Sequence, residues 1–267
     1  MRIALGQLHI LWKDRTASIL HAEQMIADAS EAACDVILFP ELSFTGFTKQ
    51  IDQISEPKEQ SQTVSRMKEL AQKYQIAIGF GWSASGKSAG DKSVNYFTLV
   101  DADGNIAGEY SKLHPFTYGG ESECFEKGNE IVTVPFLGHT VGLFICYDLR
   151  FPEIFQLSSR KADVLFVIAN WPAIRSAHWE TLLRARAIET QSYVVGVNCV
   201  GEIDQIQYSG DSMAIDSIGN ILGKISGKEG ILVCDIDDRA WSLRNKFATA
   251  ADRREDFYIE HFQKEDR

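Results

Sequence analysis

Positive charge is scarce in this sequence, which has 27 lysine and arginine residues against 37 aspartate and glutamate residues, for a formal net charge of -10. The basic residues form no block, which argues against a nucleic-acid backbone or an anionic membrane surface as the partner. Apolar runs are also short, and none approaches the roughly 20 residues that a membrane helix needs. The acidic balance favours solubility and by itself identifies no ligand.

Cysteine is rare as well, with five copies and no C-x-x-C pair, which excludes a zinc ribbon and a thioredoxin motif. The five are Cys34, Cys124, Cys146, Cys199 and Cys234. Their number is odd and several lie inside apolar runs, so we expect buried free thiols in a reducing compartment. The N-terminal residues have a strand pattern and lack that of a secretory signal, so the sequence predicts a cytoplasmic protein.

Hydrophobic residues are plentiful, at 45% of 267 positions, which suffices for a large core and excludes intrinsic disorder. Short β-branched runs alternate with longer helical patterns without a linker, which predicts one α/β domain over residues 1–267. The predicted strands are Ile3–Leu8, Val36–Pro40, Ile76–Gly81, Asn95–Asp101, Thr140–Cys146, Val164–Ala169, Ser192–Cys199, Ser212–Asp216 and Gly230–Asp235. The predicted helices are Thr16–Ala33, Gln60–Tyr74, Pro152–Lys161, Ser176–Thr190 and a short one near Asp238–Lys246.

One segment, Gly81–Ser88, matches the phosphate-binding pattern G-x-x-x-x-G-K-[ST] letter for letter. That motif binds phosphate only when a helix begins directly after it, because the amides of the helix N-terminus hold the anion. Here a second strand pattern follows, up to Val100. We therefore interpret the segment as a loop between two strands and keep a nucleotide hydrolase as the minor alternative.

Three strand-like segments end at a reactive or charged side chain, namely Glu41, Lys112 and Cys146. Each alone has an ordinary interpretation, so the prediction rests on the three together. A cysteine nucleophile needs a nearby base or positive charge. Glu41 can accept its proton and later activate water, and Lys112 can stabilise an oxyanion and bias the thiol toward the thiolate. Cys146 ends a strand just before a helix, so the Tyr147 N–H can join the oxyanion hole.

The segments around these residues resemble the nitrilase, or carbon–nitrogen hydrolase, superfamily, whose motifs contribute Glu, Lys and Cys in this order. The matching segments are Phe39–Leu42, Tyr110–His114, Ile145–Glu153, Asn170–Pro172 and Tyr208–Ser212. The resemblance implies a four-layer α-β-β-α sandwich, in which two sheets face each other and helices cover both outer faces. It also implies a homodimer or higher homo-oligomer, with a C-terminal tail of about residues 248–267 packing on a partner subunit.

The same resemblance implies a second acidic residue after the lysine. Glu121 matches that position best and would position Lys112 and the substrate nitrogen, with Glu123 as its rival. Trp171 follows a strand that we expect beside the cysteine strand, so we expect its side chain to form a wall of the pocket.

The segments around Cys146 and Trp171 are most similar to the ω-amidase branch of the superfamily. This similarity implies hydrolysis, without a cofactor or metal, of the terminal amide of 2-oxoglutaramate or 2-oxosuccinamate, with release of ammonia. Such a substrate carries a remote carboxylate, which Tyr118 or Arg175 would bind. Another amidase or carbamoylase of the superfamily stays open as an alternative, as does an inactive binding scaffold.

Overall fold

A computed structural model describes residues 1–88 and 90–265 of the chain. The strands are β1 (Arg2–Gln7), β2 (Val36–Leu38), β3 (Ala77–Ala84), β4 (Val94–Val100), β5 (Ile106–Ser111), β6 (Thr133–Phe136), β7 (His139–Ile145), β8 (Val164–Ala169), β9 (Tyr193–Asn198), β10 (Val200–Ile203), β11 (Ile206–Ile215), β12 (Ile221–Ser226) and β13 (Gly230–Asp235). The α-helices are α1 (Arg15–Glu31), α2 (Gln62–Tyr74), α3 (Glu121–Cys124), α4 (Pro152–Ser158), α5 (Ser176–Thr190), α6 (Arg239–Lys246) and α7 (Glu255–Glu265).

The strands form two mixed sheets, each with a parallel centre. The first has the order β13-β1-β2-β3-β4-β5, and the second has the order β10-β11-β9-β8-β7-β6, with β12 paired to β11. In the first sheet β1, β2 and β3 are parallel, and in the second β7, β8 and β9 are parallel. Parallel neighbours need crossover connections, and α1, α2, α4 and α5 supply them.

Three apolar layers separate the two sheets and their helices. Leu38 and Phe166 belong to the layer between the sheets, to which both sheets contribute buried side chains. A second layer joins β1–β3 to α1 and α2, as Ile26 illustrates, and a third joins β7–β9 to α4 and α5, as Leu183 illustrates. Strands covered on both faces become continuous apolar runs, and all six residues of β8 are buried. The predicted four-layer α-β-β-α sandwich is confirmed.

The predicted strands do not include four strands of the structure, β5, β6, β10 and β12. β6 lies at the edge of its sheet and contains Pro135, which an edge strand tolerates because one row of its amides needs no partner. β10 has four residues and contains Gly201, so it shows no apolar run. Helix α4 ends at Ser158, short of the predicted Lys161.

The phosphate-loop-like segment connects two paired strands. β3 and β4 are antiparallel neighbours, with Ala84 opposite Val94, so the residues between them form a hairpin connection. Ala89 lies outside the described residues. In the part of this connection that is described, residues 85–88 and 90–93, no helix begins, and a phosphate cradle therefore lacks its structural basis.

The C-terminal tail contains helix α7, whose apolar side chains face solvent. Phe257, Ile259 and Phe262 are all exposed, and Glu255 in the first turn forms an ion pair with Arg160. Packing of this tail on a partner subunit stays a prediction, and its last two positions, 266 and 267, lie outside the described residues. Within the described ranges, no helix is both long and apolar enough to cross a membrane.

Candidate active site

Cys146 lies at a sharp turn directly after β7. Its φ is +46°, in the left-handed region that a residue with a side chain occupies at a cost of order 1–3 kcal/mol. A 3-10 turn over Cys146–Arg150 follows, and Pro152 then begins α4. The Ile145 N–H donates to Asp148 Oδ2 over 3.1 Å, so a carboxylate within the turn stabilises the turn. This strained turn lifts the thiol out of the sheet toward the cavity.

Asp148 connects the cysteine turn to the segment that carries the lysine. Its carboxylate is fully buried and accepts hydrogen bonds from the Tyr110 hydroxyl at 2.7 Å, the His114 N–H at 3.0 Å and His114 Nδ1 at 2.8 Å. Tyr110 and His114 flank Lys112 in the chain, so this buried carboxylate connects the lysine segment to the cysteine turn by hydrogen bonds.

Glu41 lies in a loop that follows β2 and runs close against β3. Leu42, the next residue, has φ +44°, and Ser43 binds Gly81 through two hydrogen bonds of 2.9 Å, Ser43 N–H to the Gly81 carbonyl and Gly81 N–H to Ser43 Oγ. A Cβ at Gly81 would lie 2.4 Å from the Leu42 nitrogen. Gly81, which opens the phosphate-loop-like pattern, is therefore needed for the close approach of the Glu41 loop.

Lys112 lies at the end of β5 with its ammonium between two buried carboxylates. Nζ is 2.7 Å from Glu41 Oε1, 2.9 Å from Glu121 Oε1 and 2.7 Å from Glu121 Oε2. The side chain of Lys112 is 2% exposed. Glu121 begins the short helix α3 and also accepts the Phe116 N–H at 2.7 Å, while Glu41 Oε2 accepts the Asn170 N–H at 3.0 Å.

Glu123, the rival candidate for the second acidic residue, lies elsewhere. Its side chain is 70% exposed and forms an ion pair with Lys49 at 3.3 Å. Of the two acidic residues of α3, only Glu121 contacts Lys112.

Burial and charge set the protonation of the thiol and the ammonium. Desolvation, with the Glu41 carboxylate adding to it, raises the pKa of the Cys146 thiol well above its usual value, and Lys112 opposes this shift without overcoming it. Lys112 thus biases the thiol toward the thiolate as expected, but burial and Glu41 outweigh this effect in the resting site. Burial alone would lower the pKa of Lys112, but Glu121 and Glu41 together raise it well above its usual value. The resting pair is a neutral thiol and an ammonium ion.

These groups open onto a cavity of about 180 Å³. Its wall contains the predicted Tyr147, Trp171 and Arg175 together with the four groups above, and it does not contain Tyr118. The Tyr118 side chain is 91% exposed and its ring lies 5.9 Å from that of Phe116. The complete wall is Glu41, Phe47, Lys112, Phe116, Gly119, Glu121, Cys146, Tyr147, Arg150, Asn170, Trp171, Pro172, Arg175, Ile206 and Tyr208.

Sequence reasoning missed several residues at this site. Asn95, on β4, donates to both Glu41 and Glu121, and its only sequence signal was an amide inside an otherwise apolar strand, where asparagine is depleted. Arg150 lies over the Trp171 ring at 4.8 Å, and Tyr208 reaches the wall from the β10–β11 hairpin. Both lie in segments that resemble the family, Ile145–Glu153 and Tyr208–Ser212, but nothing in the sequence placed them in the cavity wall.

Comparison with known proteins gives consistent matches over nearly the whole chain. Residues 2–245 match the carbon–nitrogen hydrolase family. The chain is 33% identical to an omega-amidase (YafV) of Yersinia enterocolitica, over 83% of each chain, and 33% identical to the 2-oxoglutaramate amidase of Bacillus subtilis, over 96% of this chain and 98% of that one. It superposes with a TM-score of 0.87 and 25% identity, over 97% and 96% of the chains, on a Nesterenkonia sp. AN1 amidase variant with covalent addition of the acetamide moiety of fluoroacetamide at its active-site cysteine.

Proposed function

This chain belongs to the carbon–nitrogen hydrolase family, and from that premise we propose that it hydrolyses the terminal amide of a 2-oxo dicarboxylic acid monoamide, such as 2-oxoglutaramate. The coarser assignment, an enzyme that hydrolyses amides, follows from the family and the omega-amidase relatives. The observation that carries the proposal is the Lys112 ammonium, held 2.7 Å from Glu41 in the wall of the cavity that Cys146 also lines.

The first half-reaction makes a thioester on Cys146. Because the resting thiol is neutral, Glu41 takes its proton as the sulfur attacks the amide carbonyl. The carbonyl oxygen gains negative charge, and the Lys112 ammonium with the Tyr147 N–H stabilises it. When the tetrahedral intermediate collapses, the C–N bond breaks and the proton on Glu41 passes to the leaving nitrogen, which departs as ammonia.

The second half-reaction returns the enzyme to its resting state. Water loses a proton to Glu41 and attacks the thioester carbonyl, again next to Lys112. The C–S bond breaks, the acid product leaves, and the proton on Glu41 returns to the sulfur. In the resting site Glu121 contacts Lys112 through both of its oxygens, and we assign it the role of keeping the ammonium near the reacting carbonyl group.

Two guanidinium groups in the cavity wall support a substrate with a remote carboxylate. Arg150 and Arg175 both line the cavity, and Arg175 lies over the ring of Phe116 at 5.5 Å. Arginine binds carboxylates through paired N–H groups. Tyr208 lines the same wall, and a tyrosine hydroxyl is a neutral donor.

Ammonia release tests the substrate assignment directly. We expect 2-oxoglutaramate to be hydrolysed with a kcat/KM at least about 10-fold above that of a neutral amide such as butyramide, because a single charge-assisted hydrogen bond contributes about 1.5–3 kcal/mol. N-carbamoyl amino acids and nitriles are assayed in parallel. Preferential turnover of a carbamoyl compound or a nitrile would replace the ω-amide assignment by another activity of the family.

Replacement of Arg175 separates carboxylate binding from chemistry. For Arg175→Met we expect the KM for 2-oxoglutaramate to rise about 10–100-fold with kcat nearly unchanged, because the lost contact exists in both ground state and transition state. The kinetics of a neutral amide should stay the same. Arg184→Met is the matched control, since Arg184 lies on α5 outside the cavity wall and donates to the Gly219 carbonyl. An unchanged KM in Arg175→Met would move the carboxylate contact to another residue.

A further inference from the structure

The side-chain amide of Asn95 lies between the two carboxylates of the site. Its Nδ2 atom is 2.8 Å from Glu41 Oε1 and 3.1 Å from Glu121 Oε1, and the residue is 1% exposed. We infer that Asn95 is a positioning residue that holds the proposed base and the second acidic residue in place while Lys112 serves the oxyanion. This inference rests on the proposed function and adds a residue to it.

The hydrogen-bond count at Lys112 explains why a second donor is needed. An ammonium has three N–H groups, and Nζ already has three carboxylate contacts, one with Glu41 and two with Glu121. To stabilise an oxyanion, Lys112 must release one of them. Asn95 donates to Oε1 of both carboxylates, so each Oε1 keeps a donor when the ammonium turns toward the substrate.

The amide orientation supports the same conclusion. Asn95 Oδ1 is buried and has no hydrogen-bond partner within the described residues, which is unfavourable for a carbonyl oxygen. The flipped orientation would direct this carbonyl oxygen at two carboxylates, which is less favourable because three acceptor groups would then face each other without a donor. The two carboxylates therefore determine the orientation of the Asn95 amide, although its Oδ1 then lacks a hydrogen-bond partner within the described residues.

The strand ladder fixes Asn95 relative to the lysine. The Lys112 N–H donates to the Asn95 carbonyl at 3.0 Å, so the two main chains are paired where β5 ends. The amide contacts Glu41 after β2 and Glu121 on α3. Both carboxylates in turn contact Lys112 after β5 and act electrostatically on Cys146 after β7. An amide bridge at this point acts on all of them.

Two variants test the inference in the full-length protein with 2-oxoglutaramate, or with the best amide from the screen. In Asn95→Ala we expect kcat to fall about 100-fold with KM within 3-fold of wild type, because the lost hydrogen bonds to charged groups orient the base.

Asn95→Asp keeps the size of the side chain and changes its charge. We expect this variant to lose activity as the pH rises above 7, because a third carboxylate then faces Glu41 and Glu121, and to regain at least 10-fold as the pH falls and the introduced group takes up a proton and can donate. A purely structural role would produce no such pH dependence. Asn105→Ala, in the exposed β4–β5 turn, is the control and should match wild type.

The outcomes separate the two proposals. Wild-type kcat and an unchanged pH profile in both Asn95 variants, with the wild-type enzyme active, would refute the role of Asn95 alone. A wild-type enzyme that releases no ammonia from any amide would refute the proposed function. Loss of the folded far-UV spectrum in both variants would also overturn the inference, because Asn95 would then serve folding and not the reaction.

Discussion

Cys146→Ala should lower the kcat for ammonia release by at least about 10⁴-fold, because removal of a nucleophile that acts with its base leaves only the residual catalysis of the oxyanion site. The fold should survive, since the change removes one sulfur atom at a partly exposed position that faces the cavity. The measurement is a coupled ammonia assay at saturating substrate, with thermal unfolding as the check on folding. Cys34→Ala, which removes a buried thiol outside the cavity wall, is the control and should keep wild-type activity.

The covalent step can be seen separately in the intact mass of the protein. Glu41→Gln removes the base from both half-reactions, but the leaving group of an activated ester needs no proton, whereas water still needs a base. Acylation should therefore continue slowly and leave an acyl adduct on the enzyme that persists. The adduct should be absent when Cys146 is also replaced. Substantial turnover by Cys146→Ala would end the covalent mechanism, whereas failure to detect an adduct in active wild-type and Glu41→Gln protein would argue for direct attack by water.

Lys112→Met should abolish activity and destabilise the protein. We expect kcat to fall at least about 10²–10³-fold, the usual effect of losing one oxyanion donor. The free energy of unfolding at pH 7.5 should fall by about 3–5 kcal/mol, because removing the cation leaves Glu41 and Glu121 buried without their charge partner. Equilibrium urea unfolding measures this directly.

The pH dependence of stability identifies the cause of that loss. As the pH falls from 7.5 to 5.5, one of the two facing carboxylates in Lys112→Met should take up a proton in the folded state before it does so in the unfolded chain. The folded state then binds more protons, so stability should rise as the pH falls. Wild type should not recover in this way, because its Lys112 stays charged throughout that range. Lys127→Met, an exposed lysine, is the control. A parallel pH response in variant and wild type would contradict the explanation.

The sequence predicted the architecture where local pattern and burial agree. β8 is covered on both faces, so its residues form the apolar run from which a buried strand is predicted. Its neighbour relation to the cysteine strand also followed from the α/β alternation, and the parallel register of β7 with β8 confirms it. The exposed tail helix α7 had no such signal, because its charged and aromatic residues fit a loose segment equally well.

Choices between neighbouring residues needed the tertiary structure. Glu121 and Glu123 lie two positions apart in one helical turn, and the resemblance favoured Glu121 but left Glu123 open until the structure showed which of them contacts Lys112. Tyr118 and Arg175 were equal candidates for the remote carboxylate, and only the folded chain separates a side chain in the cavity wall from one exposed to solvent. The thiol was another such case, because desolvation depends on everything that surrounds the sulfur.

The amino-acid sequence alone determined the α/β class and the presence of a glutamate, a lysine and a cysteine at the ends of apolar segments, because these features depend on side-chain pattern along the chain. The tertiary structure alone decided that Glu41, Lys112 and Cys146 share one cavity, that Glu121 and Asn95 complete the charge network, and that the resting thiol is neutral. The distances between residues that are remote in sequence, and the burial of those residues, are set only when the two sheets pack against each other.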